Sequence, residues 1–115
     1  MTTSAPASTV DAALGALADP VRRRAVELLS ERPHRAGELA ALVGVTAPTM
    51  SKHLRILRQG GLVTDSHPEF DTRVRVYALN ATGFNGLRRW LDQAERGWTD
   101  QLDAFAEHVG GHREP

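Results

Sequence analysis

The chain has 115 residues, of which 41% are hydrophobic and 24% charged, and its 14 basic and 14 acidic side chains give a formal net charge of zero at pH 7. This length predicts one small domain. The absence of cysteine excludes disulfides, thiolate metal sites and cysteine nucleophiles. Because no apolar run reaches the roughly 18–20 residues that cross a bilayer, and the first residues lack signal-peptide features, we expect a soluble cytoplasmic protein without membrane contact.

The positive charge is concentrated in the middle of the sequence. Residues 20–60 carry eight basic and three acidic residues, whereas the stretches before and after them are net acidic. A field concentrated in this way attracts a polyanion such as DNA even when the whole protein is neutral. A solvated helix surface has the same composition, so charge alone leaves both interpretations open.

Two helices are predicted in the first third of the chain. We expect residues 1–9 to form a disordered tail and the domain to start near Val10, because apolar residues repeat at helical spacing from Val10 to Leu17. Asp19 and Pro20 then separate this helix from a second one. Asp19 is a natural N-cap, and Pro20 fits the first helical position, where its missing N–H costs nothing.

Two further short helices are predicted before residue 60. The third covers 36–43 and ends at Gly44, and the fourth begins after Thr46 as its cap and continues to about residue 59, where two glycines end it. We predicted Leu42 on the apolar side of the third helix. Two short helices joined by a three-residue turn form a helix-turn-helix.

A β-hairpin and a long helix are predicted after the helix-turn-helix. The stretches 62–66 and 73–79 alternate and contain β-branched residues, and the loop between them makes the pair a wing. Apolar residues then recur at steps of three or four from Leu87 to Val109, followed by a frayed tail over 110–115. The predicted fold is mainly α with a small β-hairpin, a winged helix-turn-helix over residues 10–109.

The fourth helix carries the predicted DNA-reading face. On a helical wheel, Met50, Leu54 and Leu57 face the core, and the opposite side is polar and cationic. Lysine and arginine neutralise phosphates, whereas short hydrogen-bonding side chains suit base edges. An ordinary amphipathic helix looks similar, but the turn before it and the hairpin after it favour a winged helix. The candidate DNA-binding residues are Ala47, Pro48, Thr49, Ser51, Lys52, His53, Arg55, Arg58 and, on the wing, Arg73 and Arg75.

Four segments in this order resemble the ArsR-type family of winged-helix transcriptional repressors. They read LADPVRR at 17–23, GELA at 37–40, SKHLRIL at 51–57 and GLV at 61–63. The resemblance covers about residues 10–109 and is most specific over 51–63. It implies a homodimer on a pseudo-palindromic double-stranded DNA operator. The positions matching the family's DNA-reading residues are Ala47, Pro48, Thr49, Ser51, Lys52 and His53.

The sequence departs from the resembled family at its sensor positions. Members that sense soft metals place thiolates in the third helix, where this chain has none. Others bind metal through C-terminal Asp, His and Glu side chains, but here Asp100, Asp103, His108 and His112 are poorly spaced, with two glycines between the histidines. We therefore predict no metal and no cofactor. A metal-responsive derepressor remains an alternative, and whether His108 and His112 bind metal stays open.

The wing tip and three histidines are the remaining polar features of the sequence. The wing tip, PEFD at 68–71, replaces the glycine-containing basic tip common in the family, which makes Arg73 and Arg75 weaker candidates for groove contact. His34 and His67 are expected in solvent-facing loops. For His53, two interpretations are balanced: half-buried and hydrogen-bonded, or donating to a phosphate.

The apolar stripe of the last helix predicts self-association. It is longer than four short helices can cover, and we expect a second copy to cover it together with the first helix, in a two-fold interface that places two recognition helices about 34–36 Å apart. A pocket for an apolar effector, lined by the tryptophans, is the alternative. The predicted interface residues are Val10, Leu14, Leu17, Leu87, Trp90, Leu91, Ala94, Trp98, Leu102 and Phe105.

The sequence predicts binding and no catalysis. It contains no nucleophile with a base, no paired carboxylates and no phosphate-binding glycine loop. The preferred function is a homodimeric, sequence-specific repressor with an unidentified effector. The alternative class is a winged-helix protein-interaction module that binds no DNA, which would explain the neutral net charge and the acidic wing tip.

Overall fold

The computed structural model describes the backbone of residues 5–113 and the side chains of residues 9–109. The three strands form one antiparallel sheet in the order β1-β3-β2, so the predicted, mainly helical class with a hairpin is confirmed. No helix in the described part of the chain is long and apolar enough to cross a membrane. The elements are α1 (Ala5–Ala16), α2 (Pro20–Glu31), β1 (His34–Arg35), α3 (Ala36–Val43), α4 (Ala47–Gln59), β2 (Val63–Ser66), β3 (Val76–Leu79) and α5 (Ala81–Arg113).

The predicted helix boundaries inside the domain are confirmed. Asp19 caps α2, because its Oδ1 accepts the backbone N–H groups of Val21 at 2.7 Å and Arg22 at 3.3 Å, and proline occupies the first helical position. Gly44 ends α3 with a φ of 91°, in the left-handed region that glycine enters without strain. These stops give α3 and α4 the short lengths that a helix-turn-helix requires.

The outer limits of the terminal helices differ from the prediction. α1 begins at Ala5 rather than near Val10, and α5 continues to Arg113 through the two glycines that were expected to end it. A proline in the first turn, here Pro6, needs no N–H partner. Glycine lowers helix propensity by roughly 1 kcal/mol without forbidding the helix. Residues 1–4 and 114–115 of the two predicted tails lie outside the described residues.

The core lies where α4 meets the helices before it. Met50, Leu54 and Leu57 of α4 expose none of their surface, which confirms the predicted inner face of this helix. Leu42 was expected on the apolar side of α3 but is 55% exposed, so that side is narrower than the sequence predicted. The other members of the cluster are Ala13, Ala16, Ala25, Leu28, Leu29, Leu39, Ala40, Leu62, Val63 and Tyr77.

The short strand β1 was not predicted, and it reverses the prediction for His34. His34 pairs with Tyr77 of β3, and its side chain is only 3% exposed instead of facing solvent. Its Nδ1 lies 3.5 Å from Oε1 of Glu38, and neither ring nitrogen has a hydrogen-bond partner in the described structure. His67, by contrast, is exposed as predicted.

Glycines allow α1 and α5 to approach the end of α4 closely. A Cβ on Gly83 would lie 1.7 Å from the carbonyl oxygen of Gly61, and a Cβ on Gly60 would lie 3.0 Å from the carbonyl oxygen of Ala12. Asn80 adds a hydrogen bond from its Nδ2 to the same Gly61 oxygen at 3.1 Å. The start of α5 is therefore fixed against the turn that follows α4.

The rest of α5 projects away from the core. The Cα radius of gyration is 19.6 Å, whereas a compact chain of this length has about 13 Å. The longest dimension of the molecule is 73 Å and the shortest is 24 Å. A helix of 33 residues extends roughly 50 Å, and most of the side chains described over residues 88–109 are exposed.

Candidate nucleic-acid interface

The N-terminus of α4 is held by a pair of threonines. Thr46 accepts the backbone N–H of Thr49 at 3.3 Å, as the predicted cap, and its hydroxyl donates to Oγ1 of Thr49 at 2.9 Å. Thr49 is exposed, and its contact with Thr46 holds its hydroxyl in place. The site thus presents a positioned hydroxyl group at the start of the helix.

The face of α4 opposite the core is exposed and cationic. Lys52 and Arg55 project from it, and within the described part of the chain neither side chain has an ion pair or hydrogen bond. Unpaired cations on one helix face are suited to phosphate oxygens. The small or hydrogen-bonding residues exposed beside them are Ala47, Pro48, Thr49 and Ser51.

His53 lies at the edge of this face and is half-buried. Its Nδ1 is 3.2 Å from NH1 of Arg22 on α2, so the interpretation as a half-buried, hydrogen-bonded residue holds for this nitrogen. Partial burial raises the pKa of the nearby Asp19 carboxyl. The backbone N–H groups of Arg22 and Val21 and the charge of Arg22 outweigh that effect and lower the pKa overall.

The end of α4 and the wing share one carboxylate. Asp65 on β2 accepts Arg58 at 3.2 Å through Oδ1 and Arg75 at 3.2 Å through Oδ2. Both arginines were predicted DNA contacts, and both remain about half exposed. Their positive charge is partly compensated within the protein.

The wing tip remains net acidic, because Arg73 pairs with only one of its two carboxylates, and it carries an exposed aromatic ring. Arg73 contacts Asp71 at 3.1 Å, and the hydrogen bonds from its side chain and backbone lower the pKa of the Asp71 carboxyl in spite of desolvation, which acts the other way. Phe70, beside them, is 86% exposed. The tip therefore keeps the acidic character that the sequence predicted, in contrast with the cationic face of α4.

The predicted interface residues divide into two groups. Leu87 is buried in its own chain, Leu17 packs against the core of its own chain, and Val10 and Ala94 are partly buried. These four have less surface to offer a second copy than the sequence suggested. The other six are exposed large hydrophobics: Leu14, Trp90, Leu91, Trp98, Leu102 and Phe105.

The sequence left two ligand sites as alternatives: a metal site among the C-terminal His and Asp residues, and an effector pocket lined by the tryptophans. Among the side chains of residues 9–109, no three His, Asp or Glu residues lie close enough together to hold a metal ion. The side chain of His112 is not among those described. A cavity of about 480 Å³ lies between α1, the end of α4 and the start of α5, and neither tryptophan is in its lining. An open groove of about 390 Å³ on α5 is lined by Trp98, Gln101, Leu102 and Phe105, so one of the two tryptophans borders a groove.

Three residues of this site were missed by sequence reasoning. Arg22 has no role in the sequence analysis beyond its place in the segment 17–23, although it reaches His53 on α4. Asp65 and Asp71 were treated as strand and loop residues rather than as partners of cations. The signal for Asp71 was present, because Arg73 follows it by two residues, whereas the contacts of Arg22 and Asp65 cross between elements.

The sequence and the fold match known proteins. The model of the bacterial regulatory protein family arsR matches residues 19–65. The HTH-type transcriptional regulator Rv2034 of Mycobacterium tuberculosis is 43% identical over 99 residues, which are 86% of this chain and 87% of that protein. The transcriptional repressor SdpR of Bacillus subtilis is 30% identical over 76 residues, 66% of this chain and 81% of that protein.

The fold has a solved counterpart in Mycobacterium bovis. The solution structure of a homodimeric winged helix-turn-helix DNA-binding domain, from a possible ArsR-family regulator, superposes with a TM-score of 0.61 at 22% identity, covering 98% of this chain and 96% of that one. The winged helix-turn-helix and the extent of the match to Rv2034 lead to one conclusion: the chain belongs to the ArsR family of DNA-binding transcriptional regulators and is not an enzyme.

Proposed function

We propose that the protein is a homodimeric repressor that occupies a pseudo-palindromic operator in the cytoplasm, with α4 of each subunit in the major groove. The observation that carries this proposal is the division of α4 into two faces. Met50, Leu54 and Leu57 are fully buried, so the helix cannot rotate without opening the core. The orientation of Lys52 and Arg55 toward solvent is thereby fixed.

The exposed face of α4 has the composition that DNA recognition requires. Lys52 and Arg55 supply charge for phosphates, and Thr49 and Ser51 supply hydrogen bonds that can reach base edges. The face carries no aromatic anchor of the kind that dominates protein–protein contacts. These features support DNA rather than a protein as the ligand of α4.

The dimer is supported by the uncovered apolar side chains of α5. Trp98, Leu102 and Phe105 expose 57%, 66% and 66% of their surface. Large contiguous apolar patches on a protein surface mark interaction sites, and a second copy of the same helix supplies a self-complementary partner around a two-fold axis. The solved domain from Mycobacterium bovis is itself a homodimer.

DNA binding is tested by fluorescence anisotropy. The purified protein is titrated onto labelled DNA from immediately upstream of its own gene and onto scrambled DNA of equal length, at near-physiological salt. We expect the upstream DNA to bind at least about a thousandfold more tightly. Equal and weak binding to this DNA and to genome-selected fragments would contradict the proposal and favour the protein-interaction alternative.

The dimer is tested by placing a charge in the exposed stripe. Trp98→Glu buries an unpaired carboxylate in any interface formed there, so we expect sedimentation to show monomers. Gln93→Glu is the matched control, because it adds the same charge to α5 away from the stripe, and it leaves the dimer intact. A Trp98→Glu dimer that still binds operator would refute this interface.

A further inference from the structure

One arginine joins three helices beside the DNA-reading face. From the first turn of α2, the Nε of Arg22 donates to the carbonyl oxygen of Ala16 at 2.6 Å, and its NH2 donates to that of Gly15 at 3.3 Å. Its NH1 is 3.2 Å from Nδ1 of His53 on α4. The guanidinium group is therefore fixed by the C-terminal end of α1 and directed at the recognition helix.

The contact between Arg22 and His53 selects one form of the imidazole. A guanidinium group has only donors, so the nitrogen that faces it must act as the acceptor. An imidazole accepts through a nitrogen only when that nitrogen carries no proton. Nδ1 of His53 is therefore unprotonated, and the ring proton is on Nε2.

The remaining nitrogen of His53 is available to a ligand. Nε2 has no hydrogen-bond partner among the described residues. It is also not fully buried, unlike the two ring nitrogens of His34. His53 follows Thr49 by one turn of α4, next to Lys52. An accessible N–H group thus lies beside the predicted base-reading and phosphate-binding side chains.

We propose that Arg22 is a positioning residue for DNA recognition: it fixes His53 as the neutral Nε2–H tautomer, so that His53 acts as a hydrogen-bond donor to an acceptor atom on the operator. The contact between His53 and the operator rests on the proposed function. The tautomer of His53 does not, because it is a property of the protein without DNA. Arg22 itself contacts no DNA in this proposal.

The tautomer is tested without DNA. Long-range ¹H–¹⁵N spectra of the full-length protein, recorded at mildly alkaline pH where the ring is neutral, are expected to show His53 as the Nε2–H tautomer. In Arg22→Ala the two tautomers exchange. Arg23→Ala is the matched control, because Arg23 also donates to a backbone oxygen next to α1, that of Leu17 at 2.8 Å, but has no hydrogen bond to His53 in the described structure.

The role at DNA is tested by two substitutions at His53. The amide nitrogen of glutamine occupies about the place of Nε2, and that of asparagine about the place of Nδ1. We expect His53→Gln to bind operator within about threefold of the wild type, and His53→Asn to bind about tenfold more weakly, as for the loss of one hydrogen bond. This pair leaves Arg22 and its contacts with α1 unchanged.

A double-mutant cycle shows whether Arg22 acts through His53. Arg22→Ala is expected to weaken operator binding at least threefold in the wild type and to have no further effect in His53→Ala. Equal effects in both backgrounds would mean that Arg22 acts only through α1, and the proposal would fall.

The remaining outcomes separate the two proposals. An Nδ1–H tautomer in the wild type, or asparagine outperforming glutamine at position 53, overturns the role of Arg22. If the wild type binds no operator but shows the Nε2–H tautomer that Arg22→Ala loses, the proposed function fails while the contact itself stands. If Arg22→Ala does not fold, the wild-type spectrum and the two His53 variants still decide.

Discussion

Two cations in the middle of α4 and two on the wing differ in their acidic partners. Lys52 and Arg55 on α4 have no acidic partner in the described structure, whereas Arg73 and Arg75 on the wing contact Asp71 and Asp65. A count of basic residues treats the two regions alike. The charge available to a ligand depends on which carboxylates the fold brings near each cation, so we expect the electrostatic attraction for DNA to come mainly from α4.

The largest expected effect is on DNA affinity, and it should differ between substitutions of Lys52 and Arg73. Lys52→Ala is expected to lower affinity for all DNA sequences, by about tenfold or more per subunit, because a charge-assisted bond to phosphate is lost. The slope of log affinity against log salt is expected to fall by about 0.9 per subunit. Anisotropy titrations at several salt concentrations measure both quantities.

Arg73→Ala is the matched control for Lys52→Ala. It removes one positive charge from the same protein, but this charge is already paired with Asp71. We expect affinity and salt slope close to those of the wild type. Equal losses in the two variants would show that the wing contacts DNA as strongly as α4 does.

A second effect is confined to one base pair of the operator. Thr49→Ala removes the hydroxyl that Thr46 orients, and we expect discrimination at one base pair in each half-site to fall by about 1–3 kcal/mol. Binding to scrambled DNA should not change. Thr64→Ala, an exposed threonine on β2, is the control, and competition with singly substituted operators measures the difference.

The sequence predicted the helix-turn-helix because its signals are local. The cap at Asp19, the left-handed Gly44 and the cap at Thr46 each involve neighbours within four residues, and all three are confirmed. The buried and exposed faces of α4 agree with those that the helical wheel predicted. The assignment of DNA-binding residues remains a prediction.

The missed features depend on contacts between distant residues. β1 has only two residues, and it forms because His34 meets Tyr77, 43 positions later in the chain. No local propensity indicates so short a strand, so His34 looked like a loop residue. Likewise, the partner of His53 was hidden because Arg22 lies on another helix.

A smaller effect is expected when arginines that are paired with a wing carboxylate are made available to DNA. Asp65→Ala frees Arg58 and Arg75 together, and we expect affinity for all DNA to rise about threefold and the salt slope to steepen. The cost in stability should stay within about 1 kcal/mol per contact, since these ion pairs are partly exposed. Glu69→Ala removes the same charge from the wing without freeing an arginine, so an equal gain there would attribute the effect to net charge alone.

The smallest effect concerns the pairing at the wing tip itself. Hydrogen bonds from the side chain and backbone of Arg73 lower the pKa of Asp71 below its ordinary value of 3.8. Because the folded pKa is lower than the unfolded one, the contact stabilises the wing fully above the unfolded pKa, and this contribution is lost as the pH falls through the folded pKa. An NMR titration of the Asp71 carboxyl should show the lowered pKa in the wild type and in Lys52→Ala, and a pKa closer to 3.8 in Arg73→Ala. An unchanged titration in Arg73→Ala would mean that Arg73 is a free cation in solution, and the wing would then offer DNA the same unpaired charge as α4.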